Sequence, residues 1–189
     1  MALGRRKEAA EQQERAVQGD PLHPTIRVSI AMCLGTAGRY AEAEAHFRQI
    51  LDLDPNYAPA YRGLASLYAA RRMFVEALPF AEKLYSVALW NPTATGLYAG
   101  LLTRTGEPSR GKELIQRLGS GEVYGTSIGL AVFHICCGEI DRAADWFEKA
   151  IEERYPSVAY WLRTAIGEPL RASPRWPKLA ALMNFPEGI

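Results

Sequence analysis

The chain has 189 residues with 22 basic and 21 acidic side chains, a formal net charge of +1, so nothing in its charge points to nucleic acid or an anionic membrane surface. No apolar run approaches the roughly 20 residues that cross a bilayer, and the start MALGRRKEAAEQQ lacks the apolar core of a signal peptide. Three cysteines, an odd count without framework spacing, point to a reducing compartment and an expected cytoplasmic location.

Residues 4–21 read as half of a two-helix unit. The stretch RRKEAAEQQERAVQG forms one helix, and Asp20-Pro21 closes it as Asp54-Pro55 closes the next unit. The partner helix is missing. The half unit is therefore an improvised cap, a surface for self-association, or the end of a longer array.

Four complete units follow, at about 24–57, 58–91, 92–123 and 124–155, each a pair of antiparallel helices. Small residues midway along the first helix fall at Ala31, Ala65, Ala99 and Ala131, in steps of 34, 34 and 32. Those early in the second helix fall at Ala9, Ala43, Ala77, Gly111 and Ala143, in steps of 34, 34, 34 and 32. The turn between helices carries Gly4, Gly38, Arg72, Gly106 and Gly138 in the same register. A period of that size marks a stacked array. The small residues let two helices cross at about 8–10 Å. Prolines at Pro24, Pro59 and Pro92 open first helices, where a missing N–H costs nothing. Asn91 is an expected N-cap. Pro79 falls inside a second helix and is expected to disturb it. Gly96, Gly100, Gly111, Gly119 and Gly121 make 92–123 the unit expected to be most mobile.

From 157 to 189 the pattern changes to a capping segment. Short helices are expected near 157–166 and 175–184, with Trp161, Trp176, Leu179 and Leu182 sealing the open end. The preceding helix, 139–154, carries six acidic and three basic residues, and 163–178 carries four basic and one acidic, which favours docking.

The pattern Tyr61, Leu64, Ala65, Tyr68, Phe74 and Ala77, with Ile30, Ala31, Leu34, Gly38, Tyr40, Ala43, Phe47 and Pro55 before it, resembles the tetratricopeptide repeat over about residues 4–156. The resemblance implies an all-α, right-handed α-solenoid of antiparallel helix pairs. It also implies a non-catalytic scaffold that binds a protein or peptide in a concave groove built by the first helices. On that wall helical spacing places Val28, Met32, Arg62, Ser66, Thr103, Ile128, Val132 and Ile135. The Lys, Asn and Arg clamp that such domains use for acidic chaperone tails is missing, because Val28, Ser29, Arg62, Gly63, Gly96 and Leu97 occupy its places. An apolar groove suits a partner helix or an extended apolar peptide, or is filled by the chain's own neighbouring domain, or serves only tight packing of the superhelix. The run Leu170 to Trp176 and the closing Asn184-Phe185-Pro186 are similar to bacterial proteins of this family in which the array follows an effector domain. The chain would then be a regulatory or sensory segment.

No catalytic constellation, cofactor motif or metal set is visible. His23, His46 and His134 lie in different units, without Cys or carboxylate at ligand spacing. His134 occupies a packing slot and is expected to be partly buried with one hydrogen bond. Cys136-Cys137 reads as two small buried hydrophobes.

Overall fold

The structure, a computed structural model, describes residues 23–119 and 124–185. The half unit at 4–21 lies outside them. The described residues form eleven α-helices and one 3-10 turn. Four hairpins come first: α1 (Pro24–Thr36) with α2 (Tyr40–Leu53), α3 (Ala58–Ala70) with α4 (Phe74–Val87), α5 (Pro92–Arg104) with α6 (Pro108–Leu118), and α7 (Thr126–Cys137) with α8 (Ile140–Glu152). Then come α9 (Val158–Arg163), the 3-10 turn Ala165–Gly167, α10 (Glu168–Arg171) and α11 (Trp176–Leu182).

The repeat positions do what their size dictates. Ala31, Ala65, Ala99 and Ala131, and their counterparts Ala43, Ala77 and Ala143, are completely buried at the crossings. Large side chains fill the flanks: Phe47 lies against Gly63, where a Cβ would stand 2.2 Å from its ring. The turn register also has a physical basis. Gly38, Gly106 and Gly138 adopt φ of 78°, 96° and 80°, and Arg72 is forced into the same left-handed region at φ 60°. Asn91 caps α5 by accepting from the Thr93 N–H at 2.9 Å.

Pro79 does not end its helix; α4 continues from Phe74 to Val87 across it. The carbonyl it leaves without an intrahelical donor belongs to Val75, whose side chain is 72% exposed, so water reaches that face.

The glycines of the third unit serve close approach. The Thr93–Leu102 stretch of α5 is buried throughout. A Cβ on Gly96 would meet the Gly129 carbonyl oxygen at 2.0 Å, and one on Gly100 would meet the Cys136 Cβ at 2.5 Å. The α5–α7 pair is the most extensive helix contact among the described residues, whereas α4 and α6 hardly touch. The inner helices are drawn together and the outer ones splay.

The closing segment folds back onto the array. Trp161, Leu162, Leu170 and Leu179 are fully buried in the main core. Leu182 is not part of the seal: it is 42% exposed, because the short α11 turns only one face inward. The opposite charges meet as their signs require. Arg175 donates to Asp145 at 2.5 Å and to Glu148 at 3.0 Å, and Lys178 donates to Glu148 at 2.5 Å. Burial alone would push the Glu148 carboxyl up, but the hydrogen bonds from Lys178 and Arg175 outweigh it and hold the group below its ordinary value.

Candidate partner-binding site

A repeat array usually leaves its concave wall open, since each unit touches only its neighbours. Here the wall is partly covered by the chain itself. The 3-10 turn Ala165–Gly167 packs on α3 and also reaches α7. The Arg62 guanidinium on α3 lies 4.3 Å from the Tyr160 ring centroid on α9, across two intervening units. Arg171 fixes the turn by donating to the Leu162 carbonyl at 2.6 Å and the Thr164 carbonyl at 2.9 Å. Gly167 is needed there, because a Cβ would stand 2.4 Å from the Trp161 carbonyl oxygen.

The eight expected wall residues divide into three groups. Met32, Arg62 and Ser66 come together against Tyr160 and Thr164, with Ile135 on the other side of Ile166. Val28, Ile128 and Val132 are core residues at 8%, 0% and 0% exposure. For α7 the reason is the glycine contact, which seats that helix on α5. Thr103 faces α6: its hydroxyl donates to the Ala99 carbonyl at 2.9 Å and would sit 2.6 Å from a Cβ on Gly111.

Among the described residues the wall holds spaces of two different sizes. The first, about 20 Å³ between Met32, Ser66, Tyr160 and Thr164, has room for a water-sized group. Ser66, which lines it, has its Oγ buried with no hydrogen-bond partner among the described residues, and the same holds for the Nε of Arg62. The second is larger, about 390 Å³, at the end of the wall where the hairpin turns lie. Its floor is apolar, from Ala69, Phe74, Ile135, Cys136 and Ile166, and Arg72, Arg104 and Glu168 stand around it. Arg104 is held over the Phe74 ring at 4.4 Å and donates to the Cys137 carbonyl at 3.4 Å. Positional reasoning along the repeat found Ile135 but not Phe74, Arg104, Ile166 or Glu168. The last two belong to the closing segment, and no periodic signal reports where that segment lands.

The remaining singled-out groups are structural. The His134 side chain is 13% exposed and its Nδ1 lies 2.6 Å from a Glu139 carboxylate oxygen. Burial drives the Cys136 thiol up, and burial, then the Glu139 charge, pushes Cys137 up to about 11, so neither is a ready thiolate. Among the described residues no three His, Cys, Asp or Glu side chains gather as a metal site. No described helix is long and apolar enough to cross a membrane.

Comparison with known proteins agrees with this architecture. The tetratricopeptide repeat family model matches residues 1–66 and, in an overlapping register, 36–82. No curated protein matches the sequence. Among solved structures, YrrB, described as a TPR protein with an unusual peptide-binding site, is similar at 18% identity and a TM-score of 0.54, over 90% of each chain. A tetratricopeptide repeat protein from Parabacteroides merdae is similar at 21% identity and a TM-score of 0.57, over 89% of this chain and 64% of its own length. At such identities the likeness concerns the fold. Helix pairs at steps of 34 and 32 residues, small residues buried at every crossing and the family-model match over residues 1–82 together give the described helices the architecture of a tetratricopeptide repeat array.

Proposed function

We propose that the chain is a non-catalytic interaction module that binds an extended peptide of a protein partner at the hairpin-turn end of its concave wall. The observation that carries this reading is the 390 Å³ space with an apolar floor and two arginines against one glutamate around it. Such a space takes one apolar side chain, and Arg72 and Arg104 favour an acidic residue beside it. The nearby fold of YrrB, described as holding an unusual peptide-binding site, supports the same class of ligand. The module needs no cofactor or metal for this role, and we place it in the cytoplasm. A second reading, a sensory or regulatory segment of a larger bacterial protein, is favoured by the Leu170–Trp176 run. Both readings use the same wall.

The test is selection from a random peptide library on the full chain, followed by affinity measurement. Enriched peptides should pair an apolar residue with Asp or Glu. Their binding should fall at least about tenfold on Arg104→Glu and be abolished by Ala70→Trp, which plugs the space. Failure to enrich, or equal binding to both variants, removes this wall as the site.

A further inference from the structure

A further space lies elsewhere, between α4 and α6. It measures about 470 Å³ and follows from the splayed outer helices, where α5 is drawn to α7 and α4 and α6 hardly touch. Its floor is Tyr85, Tyr98, Leu102 and Leu114, with the two tyrosine rings stacked at 5.4 Å between centroids. Around it stand Glu82 and Glu113, Arg110 and Arg117. The Tyr98 hydroxyl donates to Glu82 at 3.0 Å and accepts from Arg110 at 3.2 Å, which fixes one end.

At the other end the chain exposes apolar surface. Leu89 lines the cleft and is 64% exposed; the next residue, Trp90, is 81% exposed, the highest value for a large apolar side chain among the described residues. An indole matches the cleft in each respect. The tyrosines offer stacking partners, the guanidiniums a cation for its π face, and the carboxylates an acceptor for its N–H. A two-fold interface requires the projecting group and its receptor on one self-complementary patch. Leu89 and Trp90 are consecutive, and one of them already lines the cleft, so this patch meets that requirement.

We propose that a second copy of this chain covers the cleft in a two-fold dimer, each Trp90 seated between α4 and α6 of the other copy. The contact is separate from the peptide wall.

The experiment is sedimentation of the full chain over a range of concentrations. A dimer is expected. Trp90→Ala should raise its dissociation constant at least about tenfold, since a seated tryptophan dominates such interfaces. Ser86→Arg, an exposed change in the cleft lining, should do the same without touching the core. Leu53→Ser, at another exposed apolar residue, should leave the mass unchanged. Mixing the Trp90→Ala and Ser86→Arg chains should recover part of the dimer, because one copy keeps a cleft and the other keeps its indole. A monomer at every concentration overturns the proposal. So does a dimer indifferent to both variants, or a mixture without recovery.

Discussion

Gly96 and Gly129 meet backbone to backbone: a Cβ on the first would lie 2.0 Å from the carbonyl oxygen of the second, closer than any side-chain contact permits. Neighbouring backbone, not a flexible side chain, is the obstacle, so nothing yields cheaply. An Ala for Gly change inside a helix ordinarily gains about 0.5–1 kcal/mol. Gly96→Ala is expected to do the opposite and destabilise by roughly 1–3 kcal/mol or more. Urea unfolding of the full chain measures it. A stability equal to or above the unsubstituted chain would contradict the contact.

Arg72 is the one turn position of its register that lacks glycine, and it holds φ 60°. A left-handed backbone costs a side-chain-bearing residue about 1–2 kcal/mol, while glycine adds some freedom to the unfolded chain. Arg72→Gly is expected to stabilise by up to about 1 kcal/mol. In a chain of this length that raises the thermal midpoint by about 2–4 °C. Arg154 and Asn184, also at positive φ, give a comparison outside the repeat turns.

The closing segment is held to α8 by Arg175 and Lys178 converging on acidic side chains, with Glu148 receiving both. The folded Glu148 lies below its ordinary value of 4.5. Its stabilisation is therefore complete above the unfolded value and is lost as pH falls through the folded one. Acid titration followed by tryptophan fluorescence should show Trp176 changing environment below the ordinary carboxylate range. Glu148→Gln should remove much of that step and cost roughly 1–3 kcal/mol at neutral pH.

Hydrogen exchange should rank the helices by burial. With Thr93–Leu102 buried in one run, α5 is expected to exchange most slowly, and α6, which buries only Gly111 and Leu114, among the fastest. This reverses the order that glycine content alone suggests for the two helices together. Equal protection of α5 and α6 would count against it.

The repeat was legible because it rests on size. A small residue at every crossing and a glycine at all turns but that of Arg72 leave their mark at steps of 34 or 32 residues, and Ala31, Ala65, Ala99 and Ala131 are all buried in that register. The charge pairing of the tail was legible for the same reason: Arg175 and the acids of α8 differ in sign whatever their geometry. The curvature was not. Gly96 and Gly129 read individually as poor helix formers, and only their meeting in space turns that weakness into a contact. The wall suffered accordingly. Ile128 and Val132 sit at the spacing of groove residues, but the closeness of α7 to α5 leaves them no exposed surface. The landing place of Ala165–Gly167 on α3 depends on that curvature too, so no local pattern near 165 announces it.

The contact between Arg62 and Tyr160 joins residues 98 positions apart, since 160 minus 62 is 98. A string of repeats with only adjacent contacts can fray from either end and fold one unit at a time. Here part of the closing segment rests on the second complete unit, so the order of synthesis and the order of stabilisation differ. The early hairpins gain their inner support only after the C-terminal residues emerge. Loss of the final thirty or so residues would then weaken the first half of the array, and unfolding should pass as one cooperative event over the described helices rather than as a procession of units.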